Sequence, residues 1–285
     1  MKAHLSSKIG RKSSDVKERG TYSERWEHFI CPWKRRSVSF RAVNSPLFFI
    51  SDIHLGLKNS NYELRKRERL AEFVRHVVEK KGSLFIVGDL FDFWFEYKYV
   101  MPKAYFDILT VLYEAKRKGV KIYFIPGNHD YWTGEFAEKI IFTEVYPDGC
   151  TLEFNGKRFH IIHGDGLLSR DGAYRALRRL FRNKLFVFFY RWLHPDWGYS
   201  IAKWISRTGN HKAHSEEYDE AVLKELKEFA SNHGSDGVDF VIMGHYHQAR
   251  QVDLGSTSLV ILGDWLKYHS FGYFDGNEFS LNYWR

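Results

Sequence analysis

Five short motifs rich in carboxylate, amide and imidazole groups recur along the chain, and each directly follows an apolar run. Such side chains are the ligands that Mn²⁺, Fe²⁺ and Zn²⁺ accept in proteins. A set of them delivered from the ends of successive strands could hold two metal ions and activate a water molecule for attack on phosphorus. In chain order the motifs are Asp52-Ile53-His54, Gly88-Asp89, Gly127-Asn128-His129-Asp130, His163-Gly164-Asp165 and Gly244-His245-Tyr246-His247.

The residue types predict which ligand bridges the two metal ions and which residues supply the remaining ligands. Asp89 is the predicted bridge, because a carboxylate has two oxygens and can bind two cations. Asp52 and His54 lie two residues apart on a segment expected to be extended, so both should point the same way. The same spacing applies to His245 and His247. The predicted metal ligands are Asp52, His54, Asp89, Asn128, His163, His245 and His247.

His129 is predicted to act on the substrate rather than on metal, because its neighbour Asn128 already points to the metal. Its expected role is phosphate binding or protonation of the leaving group. Asp130 is expected to orient it through a hydrogen bond, and Asp92 and Asp165 are further candidates for such support. Any one motif alone is typical of an ordinary turn, but five in order after apolar runs favour a metal centre.

The elements that must position these motifs alternate between strands and helices. Continuous apolar runs over 47–50, 84–87, 122–125, 159–162 and 240–243 indicate strands buried on both faces. Amphipathic stretches over 62–80, 105–118 and 217–232 predict helices. This alternation favours layered α/β packing. Short apolar runs after residue 252 suggest antiparallel strands in a second sheet.

Residues 166–215 interrupt this rhythm and predict a helical cap over the site. The segment could hold one long helix over 174–193 and a second over 199–205. It carries ten Lys/Arg against two Asp/Glu, together with ten aromatic residues. An amphipathic basic helix of this kind suits an interface with acidic lipid.

Composition bounds the remaining possibilities. Residues 1–44 hold eleven Lys/Arg and four Asp/Glu, and they predict a disordered basic extension before a domain over 45–285. The only cysteines are Cys31 and Cys150, which disfavours thiolate zinc and a disulfide framework. No signal-peptide core and no run of about 20 apolar residues occurs, so a cytoplasmic protein is predicted. No obligate protein partner is indicated.

These motifs, in this order, resemble those of the calcineurin-like metallophosphoesterase superfamily. The resemblance implies a four-layer α/β/β/α sandwich, here with an inserted helical cap. It also implies two divalent metal ions, with Mn²⁺ preferred and Fe²⁺ or Zn²⁺ as alternatives. The implied reaction is attack of a metal-bridging hydroxide on phosphorus.

Finer features resemble the UDP-2,3-diacylglucosamine pyrophosphohydrolases, in the stretches 49–55, 88–94 and 262–265. The resemblance implies release of UMP and 2,3-diacylglucosamine 1-phosphate (lipid X) in lipid A biosynthesis, at the periphery of the inner membrane. The best-known members carry Arg where this chain has His129. Together with the basic cap, the resemblance predicts substrate contacts from Asp171, Tyr174, Arg175, Ser206, Asn210 and Lys212.

Two other functions remain open at this stage. A nuclease or nucleotide phosphodiesterase of the same superfamily would also use basic and aromatic surfaces, although nucleic acid is the less favoured partner. A non-catalytic membrane-binding scaffold would explain the cap alone. The complete set of metal ligands argues against the scaffold.

Overall fold

The computed structural model describes residues 43–57, 60–209 and 216–285. The predicted disordered extension over 1–44 lies outside these residues, apart from its last two. Of those, Asn44 joins the domain, since its backbone N–H donates to Ser83 Oγ at 2.8 Å. The predicted substrate contacts Asn210 and Lys212 also lie outside the described residues.

The described strands form two sheets. The strands are β1 (Leu47–Ile50), β2 (Ser83–Val87), β3 (Lys121–Ile125), β4 (Glu144–Val145), β5 (Cys150–Phe154), β6 (Lys157–Ile162), β7 (Phe240–Met243), β8 (Ala249–Asp253), β9 (Ser258–Leu262), β10 (Ser270–Phe274) and β11 (Phe279–Tyr283). The first sheet has the order β11-β10-β1-β2-β3-β4, in which β1 to β4 are parallel and β10 is antiparallel to both of its neighbours, β1 and β11. The second sheet has the order β5-β6-β7-β9-β8, and its inner strands β6, β7 and β9 are parallel.

Helices cover the outer faces of both sheets and also fill the segment between β6 and β7. Two short turns of tighter or wider pitch lie at Lys103–Tyr105 and Ala137–Ile141. The α-helices are α1 (Ser60–Glu79), α2 (Phe106–Arg117), α3 (Gly172–Phe181), α4 (Lys184–Arg191), α5 (Pro195–Gly209) and α6 (Glu216–Ser235). Ser206, one of the predicted substrate contacts, belongs to α5.

The largest apolar core lies between the two sheets. Phe49 of β1 stacks on Phe85 at 4.9 Å between ring centroids and lies 6.2 Å from Phe159 in the opposite sheet. On the outer face of the first sheet, Phe48 meets Phe73 of α1. On the outer face of the second sheet, α6 packs against β7 and β9. The predicted α/β/β/α order is therefore confirmed.

Two details of the predicted layout are wrong. Strands β10 and β11 pair antiparallel as predicted, but they join the first sheet beside β1. Strand β9 lies in the second sheet, antiparallel to β8 but parallel to β7. An apolar run indicates burial but does not specify a partner strand. The helix predicted over 174–193 is divided at Arg182 and Asn183, because Asn183 Oδ1 accepts the N–H of Leu185 at 2.8 Å and starts a new helix.

The five motifs meet because they follow parallel strands. Strands β1, β2 and β3 of the first sheet and β6 and β7 of the second each end at a motif. Backbone hydrogen bonds continue beyond the strands, as from Asp52 N–H to Gly88 O at 3.1 Å. Across the sheets, the N–H of His245 donates to Asp52 Oδ2 at 2.9 Å. One edge of the sandwich therefore collects side chains that are widely separated in sequence.

Replacing Phe49 by Ala should lower the free energy of unfolding by about 3–5 kcal/mol, because it opens a cavity between the two sheets. Phe106→Ala is the matched control, since this side chain is 65% exposed, and it should change stability by less than about 0.5 kcal/mol. Denaturant unfolding followed by circular dichroism measures both. Equal losses for the two variants would contradict the assignment of the core.

Candidate metal centre

The carboxylate of Asp89 lies at the centre of the site, 1% exposed. Its Oδ2 is 3.4 Å from His163 Nε2 and 3.6 Å from His54 Nε2. Its Oδ1 accepts the backbone N–H of His129 at 3.0 Å. Burial alone would raise the pKa of Asp89, but the surrounding imidazoles, above all His163, hold it well below its usual value. Asp89 is therefore an anion inside the protein.

Asp52 is a second buried carboxyl group beside Asp89. His247 Nε2 lies 3.6 Å and His54 Nε2 lies 3.9 Å from its Oδ1. Burial raises the pKa of this carboxyl group despite the neighbouring imidazoles. A cation at this position would oppose that shift, because it stabilises the ionised form.

The donor atoms form three groups in which all atoms lie within 4.8 Å of one another. Asp89 belongs to two of them, as the predicted bridge requires. Asn128 Oδ1 and His54 Nε2 are buried and have no hydrogen-bond partner among the described residues, which is costly unless a ligand binds them. The donors therefore fit two divalent cations. The groups are Asp52–His54–His247, His54–Asp89–His129 and Asp89–His163–His245.

The backbone reaches this arrangement through left-handed turns. Asp52 and His54 have φ angles of 54° and 47°, and His245 and His247 have φ angles of 68° and 52°. The prediction of extended segments is therefore wrong. Asp52 and His54 still reach one donor group, whereas His245 and His247 belong to two different groups. Asp89, at φ 52°, shares this conformation. Such angles cost non-glycine residues about 1–3 kcal/mol each and concentrate at functional sites.

In two of the histidines, a hydrogen bond fixes one ring nitrogen, so that the other ring nitrogen faces the centre of the site. His163 Nδ1 donates to Val87 O at 3.0 Å, which leaves Nε2 toward Asp89. His129 Nδ1 donates to the carbonyl oxygen of Asp92 at 2.8 Å. His129 Nε2 then lies 4.0 Å from Asp89 Oδ2, close enough to join a group of possible metal donors. Its assignment to phosphate stays a prediction.

Asp130 has a different place from the one predicted. Its carboxylate accepts N–H groups from Gly127 at 2.8 Å and Leu90 at 2.7 Å, and the carbonyl of Asp92, not Asp130, holds the His129 ring. Burial, with the nearby charge of Asp89, raises the pKa of Asp130 to about 7. Asp130 therefore ties the loop after β3 to the loop after β2.

Asp264 supports the centre and was not among the predicted site residues. Its Oδ2 lies 3.2 Å from His247 Nδ1, and its Oδ1 accepts backbone N–H groups of Leu266 and Lys267. The pKa of His247 is raised to about 9, since burial is outweighed by Asp52 and Asp264. A usable signal existed: Gly263-Asp264 follows an apolar run just as Gly88-Asp89 does.

The glycines in the motifs leave room for the ligands. A Cβ added to Gly127 would lie 2.1 Å from Asp89 Oδ1, and one added to Gly88 would lie 2.1 Å from His163 Nδ1. Gly88 also has a φ angle of +82°, which other residues rarely adopt. Both positions therefore require glycine for close approach, and Gly88 requires it for its backbone angle as well.

The cap joins the centre through Asp165. Tyr174 OH donates to Asp165 Oδ2 at 2.8 Å, and Arg178 Nε lies 3.1 Å from the same oxygen. Burial would raise the pKa of Asp165, but His163 and Arg178 lower it. The Tyr174 ring lies 6.5 Å from that of His245, between centroids. The first cap helix is thus attached at the edge of the metal centre.

Asp171 and Arg175, predicted as substrate contacts, shape the chain entering the cap. Asp171 Oδ2 accepts the N–H of Leu168 at 3.2 Å. Arg175 donates to Leu168 O at 2.6 Å and to Gly166 O at 3.2 Å. Tyr174 lies beside the metal-ligand candidate His245, and the roles of all six predicted substrate contacts stay predictions.

Comparisons with known proteins agree with this geometry. A profile of the calcineurin-like phosphoesterase family matches residues 45–249. A UDP-2,3-diacylglucosamine hydrolase of Porphyromonas gingivalis is 34% identical over 84% of this chain and 97% of its own length. Proteins of the same name from Nitrosococcus oceani and Pectobacterium carotovorum are 27% and 30% identical over 76% of this chain, and 86% and 90% of their own lengths.

Asp264→Asn should weaken binding of one divalent ion by about 10–100-fold, because His247 loses the carboxylate that orients it. Asp236→Asn is the matched control, since this aspartate is exposed and directly follows the last residue of α6. Calorimetric titration of the metal-free protein with Mn²⁺ measures the effect. Unchanged affinity in Asp264→Asn would show that the contact to His247 is dispensable.

Proposed function

The chain belongs to the calcineurin-like phosphoesterase family, and we propose that it hydrolyses the diphosphate of UDP-2,3-diacylglucosamine. The products would be UMP and 2,3-diacylglucosamine 1-phosphate, as lipid A biosynthesis requires. The observation that carries this proposal is a centre in which Asp89 belongs to two donor groups, beside a basic and aromatic cap. The names of the relatives point to the same substrate.

The donor set supports two divalent cations, with Mn²⁺ preferred and Fe²⁺ or Zn²⁺ as alternatives. When bound, they would neutralise phosphate charge and lower the pKa of a water molecule placed for in-line attack. Asp89 would be shared between the two positions, and Asn128 would add a neutral oxygen. The remaining proposed ligands are Asp52, His54 and His247 on one side and His163 and His245 on the other.

In this proposal His129 would act on the substrate. The carbonyl of Asp92 holds its Nδ1, so Nε2 faces the space beside Asp89. From there it could donate to a phosphate oxygen or protonate the leaving group. An imidazole reaches less far than the Arg of the best-known relatives, so the substrate phosphate would lie closer to the loop after β3.

The cap supplies surfaces that suit an acylated nucleotide. The ring centroid of Tyr190 in the cap lies 4.7 Å from that of Phe95 and 6.3 Å from that of Trp132. The cap therefore packs on the loops after β2 and β3 through aromatic contacts. The guanidinium of Arg182 lies 3.7 Å over the Tyr131 ring, on the same side. Apolar walls would receive acyl chains, and the cap arginines would attract the diphosphate.

We further propose that the protein works at the cytoplasmic face of the inner membrane, as a peripheral protein. Phe189, Trp192, Trp197 and Trp204 of the cap are each at least 67% exposed. A large exposed aromatic surface beside basic residues is typical of a site that binds anionic lipid. Such placement would bring the cap to an acylated substrate held in the bilayer.

In the described part of the chain, no helix combines the length and the apolarity that spanning a membrane would require.

Purified protein supplied with Mn²⁺ should convert UDP-2,3-diacylglucosamine to UMP. In ¹⁸O-labelled water the label should enter UMP, because attack is expected at its phosphorus. Asp89→Asn should lower the rate by at least about 10³-fold through loss of the shared carboxylate, with Asp236→Asn as the unaffected control. Release of UDP would contradict the proposal, and salt-dependent cleavage of RNA or DNA would favour a nuclease.

Replacing both Phe189 and Trp192 by serine should weaken binding to phosphatidylethanolamine–phosphatidylglycerol vesicles by about tenfold or more. The reason is that each aromatic side chain that leaves water for the membrane contributes about 1.5–3 kcal/mol. Tyr99→Ser is the matched control, an aromatic that is 85% exposed but lies outside the cap. Vesicle co-sedimentation measures the difference. Equal binding by both variants would count against the cap as the membrane surface.

A further inference from the structure

Lys66 is a buried lysine in the middle of α1, only 1% exposed. Its Nζ donates to Ile53 O at 2.8 Å and to His54 O at 2.7 Å, and it lies 3.2 Å from Glu63 Oε2. Burying an ammonium group costs several kcal/mol unless it is well compensated, so lysines are seldom found inside proteins. Two of the three partners of Lys66 are carbonyl groups of a single turn.

Glu63 holds the other end of the same turn. Its Oε1 accepts the N–H of Gly56 at 2.8 Å and also lies 3.0 Å from Arg67 Nε. Lys66 and Glu63 are one helical turn apart, so both reach the turn from the same face of α1. Together they bind two carbonyl groups near its middle and one N–H group at its end. We call these two residues the α1 clamp.

The turn held by the α1 clamp carries two donors of the metal centre. Asp52 and His54 both have positive φ angles, and their side chains belong with His247 to one donor group. A turn of this kind persists only where its surroundings hold it in place. The Asp89–His163–His245 group lies on other loops, which the α1 clamp does not touch.

We propose that Lys66, charge-balanced by Glu63, is a positioning residue that holds Asp52 and His54 ready to bind one of the two metal ions. It acts through the backbone and does not touch metal or substrate. This inference rests on the two-metal centre of the proposed function, but it does not depend on the identity of the substrate. It requires that loss of Lys66 affects one metal position far more than the other.

The test is titration of the metal-free, full-length protein with Mn²⁺. Lys66→Met keeps the length and apolar stem but removes the donors, and it should weaken one of the two binding events by about 10–100-fold while the other is unchanged. Electron paramagnetic resonance at low temperature should show the coupled two-ion signal replaced by that of a single Mn²⁺. Lys66→Gln, which keeps an N–H donor, should lose less.

Two controls separate positioning from general stability. Arg65→Met changes an exposed cation next to Lys66 and should leave both binding events intact. Val77→Ala removes buried volume near the other end of α1, so it should lower the unfolding temperature without changing Mn²⁺ binding. The proposal would be overturned if Lys66→Met kept both native Mn²⁺ affinities or lost affinity equally at both sites. It would also be overturned if Val77→Ala changed Mn²⁺ binding in the same way as Lys66→Met.

Circular dichroism establishes whether each variant folds. If Lys66→Met unfolds, Lys66→Gln carries the test, and unfolding of both would overturn the proposal in favour of a purely structural role. An unmodified protein that binds two Mn²⁺ ions but does not cleave UDP-2,3-diacylglucosamine would count against the proposed substrate alone. An unmodified protein that binds no Mn²⁺ would count against the metal centre itself.

Discussion

The burial of the carboxyl groups of Asp89 and Asp52 is the constraint on which the rest of the site depends. A carboxylate taken out of water must be compensated by cations or hydrogen-bond donors. Around Asp89 the compensation comes from His163, His54 and the backbone N–H of His129. Because these partners come from separate strands, the charge can be balanced only when both sheets are assembled. Bound divalent cations would complete the balance.

That requirement explains why the loops are held so firmly. Five of the seven proposed metal ligands have positive φ angles, and polar groups from elsewhere in the fold hold several of the loops that carry the ligands. Asp130 binds the loops after β2 and β3, Asp264 holds His247, and the α1 clamp holds the turn after β1. The cap is tied to the same centre through Asp165. Strain at the site is therefore offset by contacts that do not themselves touch the reacting atoms.

Much of the fold followed from local pattern. Uninterrupted apolar runs indicated buried strands, and the residue types after them indicated a metal centre. The structure brings six of its seven predicted ligands into three groups whose donor atoms lie within 4.8 Å of one another. The sequence patterns did not predict which strands pair or where the cap helices divide. They misplaced β10 and β11, because burial does not reveal which strand lies alongside. They merged α3 and α4, because the capping role of Asn183 depends on a single local hydrogen bond.

The sequence by itself determined the chemistry of this protein, since carboxylate, amide and imidazole groups can be identified without coordinates, and so can the family that shares their order. The tertiary structure alone decided how those groups are oriented. No spacing rule predicts that His247 faces Asp264, that Asp130 binds backbone instead of His129, or that a lysine in α1 holds the first motif. Each of these contacts joins residues from different elements, and their distance is set only when the layers pack.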